Sequence, residues 1–186
     1  MNRASIQLYL KKQKYALLLL LGGVVGMTAS IALTIEKIRL LNNPELIPTC
    51  SLNPIITCAS AMDSAQSVTF GVSNTVVGLV LYAALLIVAI SLLMGKVYSR
   101  RLLQLIAAVA LAGFLFANYL ILQSVLVLHV ICPWCFTIWI TVPLILYASV
   151  MLYRPWKHAA TFTVFWYAGL LVLLGVAFRD YWVTLL

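Results

Sequence analysis

The chain has 186 residues, of which 65% are hydrophobic and only 9% are charged, and its formal net charge is +8. The mean hydropathy of +1.10 lies far above the range of soluble domains, which excludes a soluble globular fold. The sequence also lacks the alternating segments of ~10 residues that are typical of membrane β-barrels. Helices are the remaining way to cross a bilayer, so we predict an all-α, polytopic membrane protein.

Five segments contain no Asp, Glu, Lys or Arg, and each reaches the ~20 residues that a membrane-spanning helix needs. They cover approximately residues 15–35, 72–94, 102–128, 130–153 and 159–178. We therefore expect a single transmembrane domain over residues 1–186. It contains five helices and one long loop at residues 36–71.

The first apolar segment has an alternative interpretation as a secretory signal peptide. Basic residues precede its apolar core, and small residues occupy positions 28–30. The apolar run continues to Ile35, however, and is longer than the ~7 to 15 residues typical of a signal-peptide core. A retained transmembrane helix is therefore the favoured interpretation.

The charged residues are distributed unequally between the two ends of the predicted helices. One end has nine basic residues and no acidic one: Arg3, Lys11, Lys12, Lys14, Lys96, Arg100, Arg101, Arg154 and Lys157. The opposite end has three basic and four acidic residues. Short loops rich in Lys and Arg stay in the cytoplasm, so we predict a cytoplasmic N-terminus in a bacterial inner membrane. The net charge therefore reflects membrane topology and does not indicate a nucleic-acid interface.

With this orientation, all four cysteines lie on the extracytoplasmic side. Cys50 and Cys58 are in the long loop, within "CSLNPIITC", whereas Cys132 and Cys135 begin the fourth apolar segment, within "CPWC". In a bacterium this side faces the periplasm, which is an oxidising compartment. Two cysteine pairs there indicate either redox chemistry or structural disulfides.

The C-x-x-C pair is better suited to redox chemistry than to a structural disulfide. The entropic benefit of a crosslink grows with loop length, and so short a loop gains little. Pro133 is typical of a first helical position, where free N–H groups and the helix dipole stabilise a thiolate on Cys132. A tetrathiolate zinc site is disfavoured, because the wide spacing of Cys50 and Cys58 makes a poor second half-site.

Together these motifs resemble the vitamin K epoxide reductase family in its bacterial form. The resemblance covers roughly residues 15–153 and includes both cysteine pairs, Thr137 behind "CPWC", Asn74, Gly78 and Tyr82 in "NTVVGLVLY", and Tyr119 with Leu120. It implies a four-helix transmembrane bundle around a quinone site, plus a fifth transmembrane helix. It also implies that a quinone of the ubiquinone, menaquinone or phylloquinone type accepts electrons.

The resemblance further implies a disulfide relay. A periplasmic thioredoxin-like protein of the DsbA type would attack a Cys50–Cys58 disulfide at Cys50, and Cys58 would then attack Cys132. Cys135 would react with the quinone, and a re-formed Cys132–Cys135 disulfide would deliver two electrons to it. Many bacterial relatives continue into a thioredoxin-like domain, whereas this chain stops at Leu186. We therefore expect the thiol partner to be a separate protein.

Five residues are candidates for the quinone-binding site: Asn74, Gly78, Tyr82, Tyr119 and Trp139. An amide at a membrane helix end is costly unless it is hydrogen-bonded, so Asn74 is either a ligand-binding group or a helix cap. Gly78 either lets a flat ring approach or serves ordinary helix packing. Trp139 stands where the vertebrate branch of the family has tyrosine, and its indole N–H is a possible donor. The aromatic candidates also have a simpler role as bundle or interface residues.

Two classes of function are open at this point. The favoured one is a membrane thiol:quinone oxidoreductase that supports disulfide bond formation and works with the quinone pool in membrane lipid. The alternative is a carrier of a soft metal such as mercury or copper, for which paired cysteines are suitable ligands. A carrier should place thiols along the path to the cytoplasm, and no cysteine lies in the inner half of a predicted helix. We therefore expect no resident metal.

Overall fold

The computed structural model describes residues 3–69 and 71–179, with side chains from residue 12 onward. Its helices are α1 (Arg3–Asn42), α2 (Ala59–Asp63), α3 (Asn74–Leu93), α4 (Arg100–Leu122), α5 (Pro133–Tyr153) and α6 (Ala159–Ala177). A 3-10 turn at Ala65–Ser67 follows α2, and a π-helical turn at Gln123–Val127 extends α4. All helices except α2 are long and apolar enough to cross a membrane. The prediction of an all-α protein with five membrane spans is confirmed.

Helix α1 is longer than its apolar segment indicates. It continues without a break through positions 28–30 and past Ile35 to Asn42. The charge-free segment ends at Glu36, but Glu36 is buried inside the fold and does not end the helix. The extra turns of α1 carry polar side chains to the end of the bundle where the cysteines lie, which we call the cysteine end.

Four of the long helices form the bundle, and the fifth lies outside it. Helix α1 packs against α3 and α5, α5 also packs against α4, and α6 lies on the other side of α5. A Cβ at Gly26 of α1 would fall 2.2 Å from the ring of Tyr82 in α3, so the close approach of these helices requires a glycine there. Helices α3 and α4 are not a closely packed pair, which leaves space between them inside the bundle.

Helix α6 is attached partly by polar contacts. The Trp166 indole donates a hydrogen bond of 2.9 Å to Oδ1 of Asn118 in α4. The Tyr167 hydroxyl donates to the backbone carbonyl of Ile140 in α5. In lipid such hydrogen bonds have no water to compete with them, so they fix α6 as an outer support for α4 and α5.

The loop between α1 and α3, residues 43–73, folds over the cysteine end as a cap. Its backbone pairs with the strand-like segment before α5: Thr57 N–H donates to Ile131 at 3.1 Å, and Ile131 N–H donates to Ile55 at 2.7 Å. Ile56 and Ile131 thereby form an isolated parallel bridge. This register places Cys58, two residues after Ile56, beside Cys132, one residue after Ile131.

The turn before this bridge is held by Asn53. Its Oδ1 accepts hydrogen bonds from the backbone N–H groups of Ile55 and Ile56, at 2.9 and 2.6 Å. An asparagine side chain that bonds its own backbone two or three residues on is a standard means of fixing a tight turn. The segment between the two loop cysteines therefore contains a hydrogen-bonded turn.

Candidate active site

The Cys132 sulfur lies in contact with the loop disulfide. A disulfide joins Cys50 to Cys58, with 5.7 Å between their Cα atoms, and Cys132 and Cys135 are free thiols. The Cys132 sulfur lies 3.4 Å from the Cys58 sulfur. Reacting atoms about 3 to 3.5 Å apart are at the distance of a near-attack arrangement. Thiol–disulfide exchange between Cys58 and Cys132 therefore needs no large movement of either residue.

Exchange at this contact moves a disulfide between the two cysteine pairs. If the Cys132 thiolate attacks Cys58, the Cys50–Cys58 bond breaks and Cys50 is released as a thiolate. In the reverse direction, a Cys58 thiolate attacks a Cys132–Cys135 disulfide and releases Cys135. Each complete transfer conserves the number of disulfides and carries two electrons from one pair to the other.

Cys132 occupies the position that caps the start of α5. The Cys135 thiol donates a hydrogen bond to the Cys132 sulfur, and this bond lowers the pKa of Cys132 below its usual value. Backbone N–H groups act in the same direction, that of Cys135 at a distance of 3.4 Å, whereas burial opposes them. The helix start predicted from Pro133 is thus present, but the largest contribution comes from the neighbouring thiol. A lowered pKa makes Cys132 a better leaving group and a thiolate at lower pH.

A cavity of about 470 Å³ lies below the cysteines, inside the bundle. Side chains of α1, α3, α4 and α5 line it, mostly apolar ones, and part of the cap covers it at the cysteine end. Cys135 lies in its wall, whereas Cys132, Cys58 and Cys50 do not. This volume is within the range of small-molecule sites. The cysteine that faces the cavity is therefore not the one that contacts the loop disulfide.

Four of the five predicted quinone-site residues line this cavity: Asn74, Gly78, Tyr82 and Trp139. The structure does not bring Tyr119 to it. Tyr119 is 43% exposed on the outside of α4 and stacks on Phe116, with 6.3 Å between ring centroids. Its neighbour Leu120 lines the cavity instead. Adjacent helical residues point about 100° apart, and the rotation of α4 here turns Leu120 inward and Tyr119 outward.

Asn74 is engaged with the cap in this structure. Its Nδ2 donates to the backbone carbonyl of Gln66 at 2.6 Å, and its Oδ1 accepts from the backbone N–H of Thr69 at 3.2 Å. Gln66 in turn donates from its side chain to Gln123 at the end of α4, at 3.3 Å. Asn74 is the first residue of α3, so these bonds fasten the cap to two helices. One N–H of the Asn74 amide is left to donate elsewhere.

Polar residues of α1 contribute contacts that the sequence patterns do not indicate. Lys37 lines the cavity and donates to the Ser67 hydroxyl of the cap at 2.8 Å. Glu36, which is 5% exposed, accepts a hydrogen bond of 2.7 Å from Thr49, next to Cys50. Ser30 is buried in the cavity wall. A polar residue within or beside an apolar segment is the only signal that marks these positions.

The residues described by the structure contain no cluster of three or more His, Cys, Asp or Glu side chains arranged to hold a metal ion. Cys50 and Cys58 are joined to each other, which removes both sulfurs as thiolate ligands. His129 lies exposed at a left-handed turn, with φ of 52°, ahead of the bridge segment. Nothing observed in the described residues favours the soft-metal carrier.

A family model described as the vitamin K epoxide reductase family matches residues 17–150 of the chain. The match covers well over half of the sequence and includes both cysteine pairs and all the cavity-lining residues discussed above. The comparison with curated proteins finds no match.

The contact between Cys58 and Cys132 predicts which pair of cysteines crosslinks. A variant with Cys50→Ser and Cys135→Ser retains these two sulfurs, which lie 3.4 Å apart, and should form a disulfide in most molecules after mild oxidation. The matched control, Cys58→Ser with Cys135→Ser, retains Cys50 and Cys132 and should stay mostly reduced. Counting free thiols with a mass-tagged maleimide distinguishes the two. Equal crosslinking in both variants would contradict the predicted pairing.

The hydrogen bond from Cys135 predicts how the Cys132 thiol titrates. With Cys50 and Cys58 replaced by serine, Cys135→Ser keeps a hydroxyl donor to the Cys132 sulfur, whereas Cys135→Ala removes it. The pKa of Cys132 should be higher in the alanine variant, so its thiolate should form only at higher pH. Thiolate ultraviolet absorbance as a function of pH measures this difference. Identical midpoints would show that the backbone N–H groups suffice.

Proposed function

The chain belongs to the vitamin K epoxide reductase family, and on this premise we propose that it oxidises a periplasmic thioredoxin-like protein and reduces a quinone. Family membership makes it a membrane redox enzyme that couples thiols to a quinone. The proposal adds the partner, the direction of electron flow and a role in disulfide bond formation. One observation carries it: the loop disulfide contacts Cys132, and Cys135 faces the cavity.

The first step of the proposed cycle is exchange with the partner protein. A thiolate of the reduced partner attacks the Cys50 sulfur, forms a mixed disulfide with it and releases Cys58 as a thiolate. The second thiol of the partner then attacks the mixed disulfide, so the partner leaves oxidised and Cys50 and Cys58 remain reduced. Cys50 is 8% exposed and Cys58 is fully buried, which supports Cys50 as the point of attack. Cap movement would widen this access.

The second step carries the electrons inward. The Cys58 thiolate attacks Cys132 of a Cys132–Cys135 disulfide, and Cys50 then resolves the mixed disulfide. The products are the Cys50–Cys58 disulfide and two thiols at Cys132 and Cys135. This is the redox state that the structure has, and it immediately precedes quinone reduction in the proposed cycle.

The third step reduces the quinone in the cavity. The Cys132 and Cys135 thiols together give up two electrons and two protons, form their disulfide and convert the quinone to its quinol. Cys135 acts on the quinone because it alone of the four cysteines lines the cavity. The apolar walls suit a quinone ring and part of an isoprenoid tail, but they do not distinguish ubiquinone, menaquinone and phylloquinone.

The membrane orientation is part of the proposal. Successive long helices run in opposite directions. The N-terminus, the α3–α4 link and the α5–α6 link therefore lie at the end opposite the cysteine end. These three segments carry the nine basic residues, and such segments are retained in the cytoplasm. The proposed location is therefore a bacterial inner membrane, with the cap in the periplasm.

This orientation predicts which introduced or native thiols an impermeant reagent reaches. In intact cells, a charged maleimide should label Cys50 when it is the only cysteine, in a variant with Cys58, Cys132 and Cys135 replaced by serine. The control is Lys96→Cys in a cysteine-free chain, which should react only after lysis because the α3–α4 link is cytoplasmic. The opposite labelling pattern would reverse the topology.

The division of roles between the C-x-x-C thiols predicts a spectroscopic difference. In Cys132→Ser protein, the Cys135 thiolate faces a bound quinone without a disulfide partner, and a long-wavelength charge-transfer band should appear and fade on acidification. Cys135→Ser protein should lack the band, and both variants should lose quinone reduction by a reduced thioredoxin-like donor. A band only in Cys135→Ser would exchange the two roles. Failure of the unmodified protein to reduce any quinone would refute the proposed function.

A further inference from the structure

The cavity wall contains two buried hydroxyl groups without a hydrogen-bond partner among the described residues. They belong to Ser30 of α1 and Ser149 of α5, each 1% exposed. A buried hydroxyl that lacks a partner destabilises the fold, so such groups call for an explanation. Both line the cavity, which suggests a ligand as the partner.

Other helical hydroxyls in this protein satisfy themselves within their own helix. Thr28 donates to the Val24 carbonyl at 2.9 Å, and Thr34 donates to the Ser30 carbonyl at 2.7 Å. Thr137 and Thr163 make the same bond one turn back, at 3.0 Å each. This is the usual arrangement for Ser and Thr in membrane helices. The Ser30 hydroxyl departs from it and lies against Gly78 of the neighbouring helix α3.

Gly78 makes room for this hydroxyl. A Cβ at position 78 would lie 2.8 Å from the Ser30 Oγ and 3.6 Å from the Ser30 Cβ. The Oγ distance is too short for any real carbon, whereas the Cβ distance is ordinary van der Waals contact. Gly78 therefore permits the position of the Ser30 oxygen specifically.

Residue spacing from a shared contact cluster places Ser30 and Cys135 at a similar depth in the bundle. Leu33 of α1 packs in one cluster with Cys58 and Cys132. Ser30 is three residues from Leu33, and Cys135 is three residues from Cys132, in both cases away from the cysteine end, which corresponds to about 4.5 Å along a helix. Ser149, by contrast, is about 21 Å beyond Cys135 along α5, at the far end of the cavity. Of these two serines, only Ser30 is close enough to Cys135 to face the same quinone ring.

We propose that the Ser30 hydroxyl donates a hydrogen bond to a carbonyl oxygen of the quinone and positions the ring against Cys135. This inference rests on the proposed function and adds a residue to it. Asn74 lies one turn closer to the cysteine end than Gly78. Its amide already uses one N–H and its carbonyl oxygen in hydrogen bonds to the cap. Ser30 supplies a donor that no protein contact in the described residues uses. It is a positioning residue, with Gly78 as its steric counterpart.

The test compares Ser30→Ala with Thr28→Ala, a control on the same helix whose hydroxyl is exposed and bonded to its own backbone. Purified full-length proteins are titrated with menadione and with a short-chain ubiquinone, following quenching of tryptophan fluorescence. Ser30→Ala should weaken binding by about fivefold, the fold-change expected from one ordinary hydrogen bond, and Thr28→Ala should not. Thiol exchange at the loop pair should be unchanged in both.

An infrared measurement separates a hydrogen bond from a general packing effect. The carbonyl stretch of bound, carbonyl-labelled menadione should lie at lower frequency in the unmodified protein than in Ser30→Ala. Weaker binding without this frequency difference would assign Ser30 a packing role and overturn the inference. If Ser30→Ala changes neither the binding nor the carbonyl stretch, the inference is overturned as well. The proposed function still stands in that case, provided that the unmodified protein reduces a quinone. If the unmodified protein neither binds nor reduces a quinone, both fail.

A second variant covers the case in which Ser30→Ala does not fold. Gly78→Ala pushes a methyl group against the Ser30 Oγ and should also raise the carbonyl frequency and weaken binding. Where Ser30→Ala does fold, a double variant adds a further check: the methyl of Gly78→Ala then meets only a carbon at 3.6 Å, so its effect should be smaller than in the unmodified protein. If the effects of Gly78→Ala and Ser30→Ala on quinone binding were fully additive, the contact between Gly78 and Ser30 would not be what positions the hydroxyl.

Discussion

The arrangement of the active site depends on one short stretch of backbone pairing, between the cap and the residues that precede α5. Two hydrogen bonds, from Thr57 to Ile131 and from Ile131 to Ile55, set the register of these segments. Because Cys58 and Cys132 follow directly, this register brings their sulfurs to 3.4 Å. A shift of one residue would turn the side chains to the opposite face and separate them.

The side-chain contacts of the cap complement this pairing. Thr49 is bonded to Glu36, Ser67 to Lys37, and Gln66 to both Asn74 and Gln123. These polar bonds attach the cap to α1, α3 and α4, and a buried apolar cluster of Leu33, Cys50, Cys58, Met62 and Cys132 adds to the attachment. Such attachment agrees with the proposed cycle, in which Cys58 stays near Cys132 while a partner protein reacts with Cys50.

The C-x-x-C pair divides its two thiols between two environments. Cys132, at the cap of α5, contacts the loop disulfide, and Cys135, one turn further, lies in the cavity wall. The hydrogen bond between them lowers the pKa of Cys132, which favours departure of this sulfur in exchange. The loose contact of α3 with α4 and the packing of α1 against α3 and α5 leave the cavity directly beneath. The contact with the loop disulfide and the cavity thus meet at a single helix start.

The amino-acid sequence by itself determined the membrane spans, the start of α5 and the location of the two cysteine pairs at one end of the bundle. These follow from local properties: charge-free length, Pro133 at a first helical position, and the alternation of successive spans. The family resemblance of the sequence also predicted Asn74, Gly78, Tyr82 and Trp139 as quinone-site residues, and these four line the cavity. Only the tertiary structure decided that Tyr119 faces outward, that Asn74 is bonded to the cap, and that Ser30 lies unpartnered against Gly78. Helix rotation and contacts between segments far apart in the chain set these features, and neither is encoded in the local spacing of residues along one helix.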